Sequence, residues 1–310
     1  MKILAIRYSG LADIIMLLST LEKIKNKYEN AHITLLTDSS NVKLKELSCG
    51  LIDEVITVNR GYFKRKEIFN SLSELVKVIF KIRSKFDMCI DFQSFGETAT
   101  ISYLANAKIK LGAPKKEKYN YGYTQIIQRD ESGHRSQLFS RIATVNDNLN
   151  FSKLCLNNEA AEYKQTTLKR LNKDKKTIGL NIGSTQENRR WSENNFSQLS
   201  NILKENYNVL IFLGPSEIQY KDAFDKESLF IENVNLIELT GAISVCDIFI
   251  TNDTGPAHMA AALNVSTLTL FSTGSDNNVG SLIDKKEFIK NLNINEISIN
   301  QVEEKLNLLL

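Results

Sequence analysis

A chain of 310 residues, 42% hydrophobic and 24% charged, has the composition of ordinary globular domains and excludes a disordered or collagen-like protein. At roughly 100–200 residues per domain the length prescribes two. Net charge is +3, but residues 1–150 carry 23 Lys and Arg against 16 Asp and Glu (+7), whereas residues 151–310 carry 16 against 20 (−4).

The predicted elements alternate. Lys2–Tyr8 reads as a strand, a Ser9-Gly10 turn follows, and apolar residues at helical spacing run from Asp13 to Tyr28. His32–Thr37 and Glu54–Asn59 are strands, Glu67–Lys85 a long amphipathic helix, Met88–Phe92 a strand, Glu97–Ala107 a helix and Ile109–Ala113 a strand. The rhythm breaks between Tyr119 and Lys176, which hold one helix, His134–Asn146, and a polar run at 157–176. It restarts with a strand at Thr177–Ile182, a helix at Ser192–Asn206, a strand at Asn208–Leu213 and a helix at Glu217–Lys226. Asn235–Leu239 and Asp247–Thr251 read as strands, Gly255–Asn264 as a helix, Thr267–Phe271 as a strand and Asn300–Leu310 as a closing helix.

Alternation of this kind predicts an α/β protein with two Rossmann-like, doubly wound parallel-sheet domains and an interdomain cleft. The boundary falls within 150–176 and is placed so that residues 1–160 form one domain and 161–310 the other. One connection does not fit: seven residues separate Leu239 from Asp247, too few for the dozen or so a parallel crossover needs. The sequence therefore predicts a shortened 240–247 connection and a rearranged sheet edge.

No apolar run approaches the ~20 residues of a membrane-spanning helix. Arg7 and Asp13 interrupt the N-terminal apolar stretch, and no small-residue cleavage site follows, so the chain reads as cytoplasmic. Cys49, Cys89, Cys155 and Cys246 form no CxxC pair and no zinc-ligand cluster; they read as buried free thiols. No metal set and no cofactor is indicated. Lys64-Arg65-Lys66 and Lys115-Lys116 with Lys118 concentrate positive charge that an anionic partner would use. They lack the interleaved aromatics of a nucleic-acid groove.

In doubly wound sheets ligands sit beyond the carboxyl ends of the strands. Four loops occupy that position: Tyr8–Asp13, Gly183–Trp191, Gly214–Glu217 and Asn252–His258. The first offers Gly10, Ala12 and Ile15 where a dinucleotide fingerprint needs three glycines, so a dinucleotide is disfavoured. Asp13 serves either the dipole of its helix or, as a general base, an attacking hydroxyl. Ser184, Thr185, Arg189 and Arg190 form a set suited to phosphate oxygens. In Thr251-Asn252-Asp253-Thr254-Gly255-Pro256-Ala257-His258 a strand ends and a helix begins, with amides placed for a pyrophosphate and Asp253 and His258 flanking the turn. Walker, nucleophile-elbow and HExxH motifs are absent from the sequence.

The segments KILAIRYSGLADI, IGLNIGSTQENRRWSENNF, LIFLGPSE and ITNDTGPAHMAAALNVSTLTLF together resemble glycosyltransferase family 9, the ADP-heptose:lipopolysaccharide heptosyltransferases, and HRSQLF resembles that family's interdomain helix. The resemblance implies a GT-B fold and an inverting, metal-independent transfer of heptose from ADP-heptose to the lipopolysaccharide inner core. It implies Asp13 as catalytic base and Ser184, Thr185, Arg189, Glu217, Asp253, Thr254, Gly255 and His258 as donor-binding residues. Arg189 stands where the family usually has lysine, and Ala12 where it normally has glycine. Ser9, Gly10, Lys64 and Arg65 are acceptor-side candidates, for an anionic lipopolysaccharide-core acceptor reached by peripheral contact with the inner membrane. Two other readings stand beside it: a GT-B enzyme with a different nucleotide-sugar donor, and a degenerate, non-catalytic nucleotide-sugar-binding member, which the shortened 240–247 connection favours.

Overall fold

The computed structural model describes residues 1–8, 10–61, 65, 67–149, 152–184, 186–273, 280 and 282–310, without the side chains at 68, 71 and 72. The chain divides into two units, Met1–Ser152 and Lys153–Leu310. The division comes eight residues before the boundary expected from sequence and leaves the helix Asn158–Leu168 whole within the second unit.

In the first unit the strands are β1 (Lys2–Ile6), β2 (His32–Asp38), β3 (Glu54–Val58), β4 (Phe86–Asp91), β5 (Ala107–Gly112) and β6 (Gln125–Ile126). The helices are α1 (Leu11–Lys27), α2 (Leu44–Leu47), α3 (Ile68–Ile82), α4 (Gly96–Leu104) and α5 (Arg135–Ile142). All six strands run parallel in the order β3-β2-β1-β4-β5-β6. The central strands are apolar on both faces because helices cover both: Leu4 and Ile6 of β1 pack with Leu36, Ile56, Val78 and Ile82. Helix α1 carries Asp13 in its first turn and Lys25 and Lys27 in its last, matching the helix dipole at both ends.

The second unit repeats the plan. Its strands are β7 (Thr177–Asn181), β8 (Asn208–Leu213), β9 (Leu229–Glu232), β10 (Ile248–Asn252), β11 (Ser266–Phe271) and β12 (Lys286–Lys290). Its helices are α6 (Asn158–Leu168), α7 (Glu193–Leu203), α8 (Leu236–Ile243), α9 (Gly255–Ala262) and α10 (Ile299–Asn307). The parallel order is β12-β11-β10-β7-β8-β9. Counted within each unit, both sheets follow the strand order 3-2-1-4-5-6 of dinucleotide-binding folds, with the reversal point between β1 and β4 and between β7 and β10.

Three expectations are corrected. Asn235–Leu239 is not a strand. Asn235 caps α8: its side chain accepts from Ile237 and Glu238 N–H (2.8 and 3.3 Å), and Glu238 accepts from Asn235 N–H at 2.7 Å. This is an N-x-x-E capping box, which starts a helix rather than a strand. The strand lies earlier, at β9, so 15 residues join Glu232 to Ile248 and the 240–247 connection is not shortened. Glu217–Lys226 is not an α-helix but a 3₁₀ segment at Ile218–Ala223. Finally, Cys89 and Cys246 are free and buried as expected, but Cys49 and Cys155 are exposed rather than buried.

Candidate functional site

Every expected site residue that the structure describes, other than Arg65, belongs to a loop or helix start at the carboxyl ends of the two sheets. Ser9, Lys64 and Thr185 lie outside the described residues.

In the second unit an asparagine pair builds the frame. Asn252, buried at the end of β10, donates through Nδ2 to the carbonyls of Ile182 and Gly183 (both 3.2 Å), and its Oδ1 accepts the Trp191 backbone N–H at 3.0 Å. One side chain thus clamps both ends of the loop after β7. Trp191 is fully buried, donates Nε1–H to the Ile297 carbonyl (2.9 Å) and stacks edge-on against Phe196. Asn181, at the end of β7, donates to the hydroxyls of Thr251 (2.8 Å) and Thr254 (3.2 Å). Both asparagines are absent from the expected set; each sits in a quoted segment, and the signal was an amide ending an otherwise apolar strand.

This frame holds Arg189 and Asp253 together, Nη1 to Oδ2 at 3.9 Å. Burial pushes the Asp253 carboxyl above its ordinary value, and the Arg189 charge opposes that shift. Arg189 Nε is buried and, among the described residues, unpartnered. A buried guanidinium N–H without an acceptor has a hydrogen bond still to offer, as does Arg7 Nε in the first unit. Thr254 starts α9 with extended backbone and no side-chain cap, and Gly255 is the first helical residue. Pro256 supplies no N–H and Ala257 N–H bonds the Thr254 carbonyl (3.1 Å), so this terminus offers fewer outward amides than expected. His258 is buried in the first turn of α9.

Glu217 is also buried, and among the described residues its carboxylate accepts no hydrogen bond. Its position explains a glycine: a Cβ on Gly214 would lie 2.5 Å from Glu217 Oε2. The Glu217 oxygens are not among the atoms shut off from solvent without a partner, so the carboxylate keeps acceptor capacity for a ligand hydroxyl. The Ser184 hydroxyl donates to the Gln186 carbonyl (2.8 Å) and accepts its N–H (3.3 Å), so Ser184 shapes its own turn. Arg190 stacks on Tyr220, 4.9 Å from the ring centre.

In the first unit Asp13 is the focus. Gly10 has φ 90°, a region that favours glycine, and a Cβ there would fall 2.6 Å from Asp13 Oδ2. Gly10 therefore seats a carboxylate rather than a pyrophosphate. Arg7 Nη2 is ion-paired with Asp13 Oδ2, and Arg135 Nη1 with Oδ1 at 3.1 Å. Arg7 Nη1 also donates to the Phe92 carbonyl (3.1 Å), and its guanidinium lies 5.3 Å from the Phe139 ring centre. Burial pulls Arg7 below its ordinary value while Asp13 favours its charged form. Gln93 accepts the Tyr8 N–H at 3.1 Å, so the loops after β1 and β4 are tied at the reversal point. Asp91 fixes that second loop by accepting from Gln93 N–H (3.0 Å), Ser94 N–H (2.8 Å) and the Tyr123 hydroxyl (2.8 Å); burial still raises its carboxyl. Arg65 is exposed and pairs with Glu67 at 2.6 Å. A cavity of about 440 Å³ lies between α3 and α4, with Tyr8 and Val58 in its wall and Arg60, paired with Glu97 at 3.8 Å, at its edge.

Arg7 and Arg135, like the two asparagines, are residues that sequence reasoning missed. A charge ending an apolar strand was the available signal for Arg7, since buried arginines are almost always paired. Arg135 lies inside the HRSQLF segment. Among the described residues no group of three His, Cys, Asp or Glu is placed to hold a metal ion, and no helix is long and apolar enough to cross a membrane.

Two doubly wound parallel sheets in tandem, each with its polar loops at the reversal point, define the architecture of the GT-B glycosyltransferases. A family model described as glycosyltransferase family 9 (heptosyltransferase) matches residues 75–308, and the chain belongs to that family. It is thus a glycosyltransferase. The chain is 24% identical to lipopolysaccharide heptosyltransferase 1 of Campylobacter coli, over 98% of its own length and 96% of the relative's. Its fold is similar to the family 9 glycosyltransferase of Veillonella parvula (TM-score 0.88, 21% identity, 99% of this chain and 96% of that one). It is also similar to an Escherichia coli heptosyltransferase solved with ADP-2-deoxy-2-fluoro heptose (TM-score 0.81, 14% identity, 99% of both chains).

Proposed function

We propose that the chain transfers heptose from ADP-heptose to the inner core of lipopolysaccharide, with inversion at the anomeric carbon. The observation that carries this reading is the buried, unpartnered Arg189 Nε beside Asp253 and the start of α9, at the reversal point of the second sheet. A diphosphate oxygen supplies the missing acceptor. Glu217 takes the ribose hydroxyls, which complete its unbonded carboxylate, and Asp253, Thr254, Gly255 and His258 shape the remaining donor contacts. Ser184 holds its loop in register, and Thr185 stands next to it in sequence.

In the reaction the acceptor hydroxyl attacks the anomeric carbon from the face opposite the diphosphate. Its proton passes to Asp13, the new C–O bond forms, and the bond to the β-phosphate breaks with its electron pair leaving on ADP. Arg7 and Arg135 orient the Asp13 carboxylate. Arg189 neutralises the charge that develops on the leaving group; one such preorganised donor is typically worth about 2.7–4 kcal/mol in the transition state. Lys64 and Arg65, with Ser9 and Gly10, are the acceptor-side set for an anionic glycolipid at the inner membrane. The non-catalytic alternative loses its main support, because the 240–247 connection is of ordinary length.

The test is a product assay with ADP-heptose and a Kdo–lipid A acceptor, read by ADP release and by the anomeric configuration of the product, beside calorimetry with ADP. The expected result is transfer with inversion, and ADP affinity weakened at least tenfold by Arg189→Ala. Transfer only from a different nucleotide sugar overturns the donor assignment. Tight ADP-heptose binding with no transfer overturns the catalytic one.

A further inference from the structure

Helix α3 (Ile68–Ile82) has two apolar faces where a surface helix needs one. At about 100° per residue, taking Phe69 as the origin, Val76 and Phe80 fall within about 20° on either side of it. Val78 and Ile82 fall at roughly 180–220°, on the opposite side. The opposite side is the buried one, and Val78 and Ile82 pack into the first unit's core. The near side is open: Phe69 is 89% exposed, Phe80 81% and Val76 58%. Two phenylalanines almost wholly in water on one stripe are not a folding requirement, since isolated exposed apolar residues are common but aligned aromatics mark a contact surface.

The charges beside the stripe identify the contact. Lys77 and Lys81 fall at roughly 80–120°, flanking it on one side, and Arg83 and Lys85 continue the basic edge past the helix end; all four are exposed. The one acidic residue from 68 to 85 is Glu74, whose side chain is 13% exposed, accepts the Asn59 N–H at 2.9 Å and lies 3.7 Å from the Nζ of Lys77, which stays 69% exposed. An exposed aromatic stripe with a basic flank and no outward carboxylate fits the interface of an anionic bilayer. A second copy of the chain fits less well, because an antiparallel two-fold pairing of α3 would set Lys77 and Lys81 against their own counterparts.

We propose that α3 is a membrane-docking helix, lying on an anionic lipid surface with Phe69, Val76 and Phe80 inserted among the acyl chains and Lys77, Lys81, Arg83 and Lys85 against the headgroups. It goes beyond the transfer reading by naming the surface through which a lipid-linked acceptor is approached, and its test does not use activity.

The full chain is floated with phosphatidylcholine vesicles and with vesicles that also contain phosphatidylglycerol, at low and high salt. Binding is expected to the anionic vesicles only, weakening with salt. Phe69→Ser with Phe80→Ser should cut partition at least tenfold. Lys77→Gln with Lys81→Gln should cut it by about fivefold per charge, the usual weight of a basic residue near such a surface. Unchanged Tm and ADP affinity in these variants show that the fold and the donor site survive, so failure here is separate from failure of the transferase reading. Absence of binding by the native chain to anionic vesicles overturns the proposal, as does full binding by the double phenylalanine variant. So does a concentration-dependent dimer in sedimentation that the phenylalanine changes abolish, which would assign the stripe to a second copy.

Discussion

The reversal points of the two sheets have one topology and two chemistries. Between β1 and β4 the loops are tied by charge: buried Arg7 reaches the Phe92 carbonyl with one nitrogen and Asp13 with another, while Arg135 takes the second Asp13 oxygen. Between β7 and β10 they are tied by neutral amides, Asn252 to Ile182, Gly183 and Trp191 and Asn181 to Thr251 and Thr254. The charged frame pairs both Asp13 oxygens yet leaves Arg7 Nε buried and, among the described residues, unpartnered; the neutral frame leaves Arg189 Nε in the same state and adds no cation to Glu217. The first unit thus presents a carboxylate already matched by two cations. The second presents Arg189 and Glu217 with hydrogen-bonding capacity still open, the capacity to which the proposed reading assigns the nucleotide. Four substitutions sharpen or break that contrast.

The largest effect is expected at Asp13. Asp13→Asn keeps the shape but removes the acceptor of the proton, and general-base catalysis of this kind is worth about 10²–10⁴ in rate. Transfer per folded molecule should fall roughly 10³-fold, with ADP affinity within a few-fold. Tm should also fall, because buried Arg7 loses its counter-charge. Transfer that falls only in proportion to the folded fraction makes Asp13 a partner for arginines and nothing more. Next comes Asn252→Ala. It strands the buried Trp191 N–H and removes the donor to two carbonyls. At about 1–3 kcal/mol per unsatisfied buried group, the second unit should lose roughly 3 kcal/mol, a Tm drop of about 6–12 °C. A drop under 2 °C would show that the amide frame does not hold the loop.

How far these differences can be read from sequence follows from what each depends on. Strands β1, β2, β4, β7, β8, β10 and β11 were legible because parallel strands buried on both faces leave short, nearly continuous apolar runs. Helix α8 was misread because its apolar stretch Leu236-Ile237 also suits a strand; the deciding information was the cap pair Asn235 and Glu238, not hydrophobicity. Helix α6 was hidden in a polar run because its buried side is small, Ala160 and Thr167. Strand β12 escaped for a similar reason: Lys286–Lys290 is an edge strand of mixed polarity. In the candidate site, NDTGPAH was legible as the end of a strand and the start of a helix. The partners of Asp13 were not, since Arg135 lies 122 residues away and only the fold brings it there.

A smaller effect isolates Glu217. Gly214→Ala places a Cβ 2.5 Å from the Oε2 atom, inside van der Waals contact, so the carboxylate must swing aside while the backbone keeps an ordinary φ. ADP affinity should weaken about tenfold, the loss of one well-placed charged hydrogen bond, with Tm nearly unchanged. If Glu217→Gln alone weakens ADP and Gly214→Ala does not, the carboxylate reaches the nucleoside from some other rotamer.

The smallest effect tests the contrast itself. Burial raises the Asp253 carboxyl, with Arg189 at 3.9 Å the opposing charge. A group whose folded value lies above its unfolded value costs stability once pH exceeds the folded value. That cost disappears as pH falls below the unfolded value, near 3.9 for aspartate. Asp253→Asn should therefore raise Tm at pH 7 by roughly 1–4 °C and bring no gain near pH 3.5, measured by calorimetric melts across that range. The opposite sign at pH 7 would mean that Arg189 and Asp253 form a stabilising pair in the ligand-free protein. The second site would then be charge-matched like the first, and an anion binding there would have to break that pair before gaining Arg189.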